Sequence, residues 1–242
     1  MAKLVLVNHW SPGIGNDKLP LGLGYLASYL KKYLNFDDIA IVNTGERTLE
    51  KIIAHQPEIV GFTAYTAGYY DVLQLMEQVK NKLQVIVLAG GPHITCLPHK
   101  LSRFTDVGFI GEGEQTLLEL MHIYLASGKL LPYDLRQISG IVFWNNERLE
   151  FTLPRELIQP IDRIPMPERD LFDMEHFLKP SQILMSNEFL RGTTMLTSRG
   201  CPFHCIYCHV SAKWGKPRLH SPDYVVNEME YLVNTYNVEA IT

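Results

Sequence analysis

Thr197-Ser-Arg-Gly-Cys201-Pro-Phe-His-Cys205-Ile-Tyr-Cys208 follows a short apolar run that opens at Thr193, and its reading decides the C-terminal part of the chain. Cys201, Cys205 and Cys208 form a C-x3-C-x2-C run. Soft thiolates packed this densely select an iron–sulfur cluster or a zinc ion. Three cysteine ligands would leave one iron of a cubane open, free to bind a small molecule. Two other readings fit parts of the same stretch. Cys205-Ile-Tyr-Cys208-His209 matches the C-x-x-C-H pattern of c-type haem attachment. That chemistry needs export, and Met1-Ala-Lys-Leu-Val-Leu-Val7 lacks the architecture of a signal peptide. Zinc could use His204 or His209 as a fourth ligand, although zinc motifs usually come as two separated pairs.

Upstream, β-branched-rich runs alternate with amphipathic ones. Residues 3–7, 39–42, 58–63, 84–89 and 107–110 read as strands bounded by Gly, Pro or polar turns. Residues 21–34, 71–83 and 114–125 read as helices, with weaker helical patterns near 47–55 and 98–104. Such alternation implies right-handed βαβ units and an α/β fold, a doubly wound and mainly parallel sheet with helices on both faces. Residues 138–144 and 149–152 flank Asn145-Asn146-Glu147-Arg148 and read as a hairpin. Residues 1–153 are then the N-terminal domain. Residues 154–192 read as a stiff linker carrying Pro154, Pro160, Pro165, Pro167 and Pro180. In residues 193–242 a strand over 193–197 leads into the cysteine loop, Ser221-Pro222 starts a helix that runs to about Tyr236, and 238–242 opens another strand.

Composition narrows the class. The chain has 242 residues, 46% hydrophobic and 20% charged, as expected of a globular protein with a real core. With 22 basic against 26 acidic side chains, bulk charge argues for neither nucleic acid nor a membrane surface. No apolar stretch approaches the ~20 residues of a membrane span. Four cysteines without a secretory signal point to a reducing, cytoplasmic setting, with the lone Cys96 read as a small buried side chain.

The cysteine spacing, with Tyr207 before the last cysteine, resembles the signature of the radical S-adenosylmethionine (SAM) enzymes. The resemblance implies that Cys201, Cys205 and Cys208 hold a 4Fe–4S cluster whose open iron chelates SAM, and that Tyr207 packs near the adenine. It implies reductive cleavage of SAM to a 5′-deoxyadenosyl radical, with an electron donor such as flavodoxin or ferredoxin. Upstream, Asn8, the run Pro20-Leu-Gly-Leu-Gly-Tyr-Leu-Ala27, Val60-Gly-Phe-Thr63, Gly90-Gly-Pro-His93 and Gly111-Glu-Gly-Glu114 stand in an order similar to the cobalamin-binding class of this family. That class implies a Rossmann- or flavodoxin-like sheet holding cobalamin on its C-terminal edge, where open α/β sheets bind ligands. Carried over by position, Asn8, Thr63, Thr66, Gly90, Gly91, His93, Glu112 and Gly113 would line the pocket. The D-x-H-x-x-G pattern of cobalt-ligating histidines is absent, and His93 reads as a hydrogen-bonding loop residue.

Arg218, in Lys213-Trp-Gly-Lys-Pro-Arg218, is placed by the resemblance near SAM or the cluster, while on residue type alone it reads equally as part of a solvated basic loop before an acidic helix bearing Asp223, Glu228 and Glu230. A radical SAM barrel normally needs about 200 residues or more. Residues 193–242 supply roughly one and a half βα units, so an incomplete barrel that holds its cluster poorly is expected. The expectation is therefore a radical SAM enzyme acting with cobalamin in methyl transfer or another radical transformation of an unknown substrate. The alternatives are a cobalamin-binding module with an inactive tail, or a zinc or electron-carrier protein. A methylthiotransferase would carry three more N-terminal cysteines, and only Cys96 is there.

Overall fold

The five residues Leu4–Asn8 form strand β1 and all are buried, because both faces of the strand are covered by helices. The computed structural model describes residues 3–10, 19–179, 181–182, 189–209 and 215–242. Met1, Ala2, Pro180, Lys213 and Trp214, named above, lie outside them. Strands β2 (Ile39–Asn43), β3 (Ile59–Thr63), β4 (Ile86–Gly90) and β5 (Val107–Phe109) join β1 in parallel, and β6 (Ile141–Asn145) and β7 (Arg148–Phe151) extend the β5 edge antiparallel. The order is β2-β1-β3-β4-β5-β6-β7, so the chain reverses direction across the sheet between β1 and β3. Register is set by apolar pairs such as Leu4 with Ile39 and Ile59, and Ile59 with Ile86.

Alternation along the strands sorts the core into two layers. Leu4, Leu6, Ile59, Leu88 and Val107 face helices α1 (Leu21–Leu34) and α5 (Glu114–Ser127). Val5, Val7, Val60, Phe62 and Val87 face α2 (Thr48–Ala54) and α3 (Tyr69–Lys82). Short helices α4 (Pro92–Cys96) and α6 (Pro132–Leu135) complete this half. The helical pattern near 98–104 reduces to one 3-10 turn, Pro98–Lys100, because Leu101 turns extended and the Ser102 hydroxyl accepts the Phe104 N–H instead. Cys96 is partly buried.

Residues 158–178 of the Pro-rich segment pack onto the N-terminal domain. Ile158, Ile161, Ile164, Phe172, Met174 and Leu178 are buried and join the α1/α5 layer, which helix α7 (Met174–Phe177) also meets. Burying each such side chain stabilises by about 1.5–3 kcal/mol, enough to offset the ordering of its residue. Beyond it come β8 (Ser181–Gln182) and β9 (Phe189–Leu190), then β10 (Gly192–Thr193), β11 (Ser198–Arg199), β12 (Arg218–Leu219), helix α8 (Pro222–Tyr236) and β13 (Ala240–Ile241). β10 pairs with β13 in parallel across α8, one βαβ crossover. The strand expected over 193–197 is shorter, since Arg169 Nη2 donates to the Thr194 carbonyl at 2.9 Å. Helix α8 begins as the sequence implies: the Ser221 side chain accepts the Tyr224 N–H, and Pro222 is its first residue. Among the described residues no helix is long and apolar enough to cross a membrane.

Candidate functional site

Three groups of polar side chains gather where the parallel strands end. The first is at the end of β1, where buried Asn8 donates from Nδ2 to Asn43 Oδ1 at 2.8 Å and His9 Nδ1 lies 2.9 Å from Thr48 Oγ1. The second joins the loops after β3 and β4. His93 Nδ1 lies 3.2 Å from Thr66 Oγ1, and its ring stacks on Tyr69 with centroids 3.7 Å apart. Burial pulls the His93 imidazole below its ordinary pKa, which favours the neutral ring. Gly91 takes φ +92°, and a Cβ there would stand 2.9 Å from both the Ala64 carbonyl and Thr63 Oγ1. The two loops therefore touch backbone to backbone, with Thr63, Gly90 and Gly91 at the contact.

The third group ties the loop after β5 to the cysteine loop. Glu112 and Glu114 are buried, only 6% and 4% exposed, and each finds an arginine from the far end of the chain. Arg218 grips both Glu112 oxygens, from Nη2 to Oε1 and from Nη1 to Oε2 at 3.2 Å. Arg199 reaches Glu112 Oε1 at 3.3 Å and Glu114 Oε1 at 2.6 Å, with its guanidinium 5.0 Å from the centre of the Tyr25 ring. The Ile158 N–H donates to Glu112 Oε2 at 2.9 Å, while its carbonyl accepts from Arg218 at 2.7 Å. Burial works against the charge on Glu112, but Arg218, the Ile158 N–H and Arg199 outweigh it and hold the carboxyl below its usual range. Burial opposes the charge of Arg199 too, and Glu114 and Glu112 outweigh it. Arg218 is thus no part of a solvated basic loop: its side chain is 9% exposed. Glu228 leaves the solvated acidic face as well. It is fully buried beside Arg169 at 2.8 Å, because the segment from 154 to 178 covers that side of α8.

Arg199 and Arg218 stand opposite each other in the β11–β12 pair, which closes the base of the cysteine loop. Gly200 takes φ +105°, where a Cβ would meet the Lys216 carbonyl at 2.7 Å, so only glycine lets the two limbs close. The Cys201 N–H donates to the Gly215 carbonyl at 3.3 Å, and the Cys208 N–H donates to the Cys205 carbonyl at 3.0 Å. All three thiols are free, with Cys205 exposed and Cys201 and Cys208 half-buried. Tyr207 is 89% exposed at the tip. Among the described residues no three His, Cys, Asp or Glu side chains converge as a metal-binding group, so the thiols share one loop without closing on a point. Three free soft donors on a solvent-open loop nevertheless fit an iron–sulfur centre. Gly113 packs under Leu26 and Phe109. Sequence reasoning passed over Arg199, Tyr25, Arg169 and the Ile158 backbone. The alternating acids of Gly111-Glu-Gly-Glu114 were the one local hint that cations should be sought elsewhere.

Fold and loops together define an α/β protein whose doubly wound sheet presents its strand ends to a thiol-bearing βα segment. Residues 13–121 match the B12 binding domain, and residues 195–242 match the Radical SAM superfamily. The uncharacterized methyltransferase PH0819 of Pyrococcus horikoshii is 34% identical over 236 residues, covering 94% of this chain and 49% of that protein. An anaerobic magnesium-protoporphyrin IX monomethyl ester cyclase of Cereibacter sphaeroides is 30% identical over 232 residues, 90% of this chain and 36% of the relative. Among solved structures, that of OxsB, a cobalamin-dependent S-adenosylmethionine radical enzyme with aqua-cobalamin bound, superposes with a TM-score of 0.72 at 19% identity. It covers 98% of this chain and 33% of that one, and shows the shared fold. The chain belongs to the radical SAM family whose members carry an N-terminal cobalamin-binding domain. It spans about half the length of the first of these curated relatives and less of the second.

Proposed function

We propose that this chain supplies the cofactor-holding part of a radical SAM enzyme, with cobalamin on the edge of the sheet and a 4Fe–4S cluster on Cys201, Cys205 and Cys208. The observation that supports it is the bridge from Glu112 and Glu114 to Arg199 and Arg218, which holds the cysteine loop over the strand ends. Asn8, Thr63, Thr66, Gly90, Gly91, His93 and Gly113 are the residues we assign to the cobalamin side. Gly91 at φ +92° lets the loops after β3 and β4 meet backbone to backbone, and Thr66 orients the neutral His93. When bound, the cluster would supply reductive cleavage of SAM, and cobalamin would supply a methyl carrier. Tyr207, exposed at the loop tip, is then available to lie against the adenine. The chain's own part is positioning and exclusion of water, since the cofactors carry the hard chemistry. The electron would come from a small donor such as a flavodoxin or ferredoxin. Methyl transfer is the outcome we favour, because PH0819 is named a methyltransferase and so is a cytidylyl-2-hydroxyethylphosphonate methyltransferase of Streptomyces wedmorensis, 24% identical over 267 residues.

Anaerobic reconstitution of the chain with iron, sulfide and hydroxocobalamin tests the proposal. Iron and sulfide in equal amounts, at less than full occupancy, together with a shifted cobalamin spectrum, are expected. Zinc alone at the cysteines would sink it.

A further inference from the structure

We infer that Glu112 and Glu114 are positioning residues that act through Arg199 and Arg218 to close the cysteine loop, and that Glu112 is not a contact of the corrin; the inference builds on the cofactor assignment above. The base of the loop cannot close well unaided. Arg199 and Arg218 are cross-strand partners in a pair only two residues long on each side, Ser198–Arg199 against Arg218–Leu219. Like charges directly opposite each other destabilise an antiparallel pair, and so short a ladder is marginal by itself. Glu112 sits between them and takes a hydrogen bond from each. Glu114 takes the second amino group of Arg199. Repulsion becomes closure, and two carboxylates balance two guanidiniums away from water.

The bonding of Glu112 leaves it little else to do. Its two oxygens accept from Arg199, from both terminal nitrogens of Arg218 and from the Ile158 N–H. Through Ile158 the same carboxylate ties in the Pro-rich segment. The loop after β5 therefore holds the cysteine loop, the covering segment and the sheet edge in one register. Removing the carboxylate would open the loop base first and leave the strands beneath intact. Hydrogen bonds to charged groups at this depth predict ~10- to 100-fold faster local exchange once the charge is lost.

The test compares wild-type chain with Glu112→Gln and Arg218→Lys by backbone amide hydrogen exchange, iron retention after reconstitution, and hydroxocobalamin titration. Glu112→Gln should speed exchange ~10- to 100-fold at residues 197–201 and 218–220, with β1 and β3 unchanged. Iron retention should fall in step, while the cobalamin Kd should stay within about twofold, as for independent sites. Arg218→Lys keeps the charge and should show a smaller effect on both readouts. A cobalamin Kd that rises by about tenfold or more while the loop amides stay protected would overturn the inference and return Glu112 to the corrin pocket. Exchange that accelerates equally in β1 and β3 would also overturn it, as the sign of a mere fold stabiliser. Should wild type bind neither iron nor cobalamin, the cofactor assignment fails, and the exchange comparison still decides the role of Glu112.

Discussion

Glu228→Gln should be among the most damaging single changes at any site remote from the cysteines. The Arg169 and Glu228 side chains are both 0% exposed and meet at 2.8 Å, and Arg169 also donates to the Thr194 carbonyl at 2.9 Å. Taking the charge from Glu228 leaves the guanidinium buried with only neutral partners. Breaking a buried pair in this way costs about 3–5 kcal/mol, because the remaining charge has lost its counterpart. In a domain of this size each kcal/mol moves Tm by ~2–4 °C, so a fall of roughly 6–20 °C is expected. Replacing both partners, as in Arg169→Met with Glu228→Leu, should recover most of the loss, since a packed apolar pair avoids the desolvation penalty. Differential scanning calorimetry of wild type, Glu228→Gln, Arg169→Met, Glu228→Leu and the Arg169→Met/Glu228→Leu double variant completes the cycle. A fall of less than ~1 kcal/mol for Glu228→Gln, or a double variant as poor as the sum of the singles, would refute the idea that this pair docks the covering segment onto α8.

Three smaller effects follow from the same geometry. Gly91→Ala places a Cβ at φ +92°, 2.9 Å from the Ala64 carbonyl, and should cost about 1–3 kcal/mol in urea unfolding. Burial lowers the His93 pKa, so the unfolded chain binds the proton more readily. Stability should therefore decline as pH falls below the ordinary imidazole value of about 6.5, and His93→Gln should flatten that slope in pH-dependent urea melts. Ser221→Ala removes the cap whose side chain accepts the Tyr224 N–H, and should lower stability by ~1 kcal/mol by the same melts.

Much of the sheet was legible because buried parallel strands are short, β-branched runs between turn residues. Helix α1 spans the residues its periodicity implies, Leu21–Leu34, and the hairpin of β6 and β7 turns at Asn145 to Arg148 as read. What the reading of a stiff linker left out is the face on which it packs. Ile158, Ile161 and Ile164 recur every three residues and bury one face on the α1 layer, a signal that proline's stiffness masked. The charged partners were illegible for a different reason. Arg169 meets Glu228 59 residues on, and Glu112 meets Arg199 and Arg218 87 and 106 residues on, distances over which periodicity carries no information. His93 is the converse case, since a histidine in a Gly-Gly-Pro-His turn reads locally as a hydrogen-bonding residue and is bonded to Thr66.

The central claim, an open-iron cluster beside a cobalamin edge, is tested most directly by EPR of the reconstituted, dithionite-reduced chain with and without SAM. The Cys201→Ala/Cys205→Ala/Cys208→Ala triple variant serves as control. A 4Fe–4S signal that shifts when SAM is added and vanishes in the triple variant is the predicted result. A reduced cluster whose signal ignores SAM, or one that survives loss of the three cysteines, would contradict it.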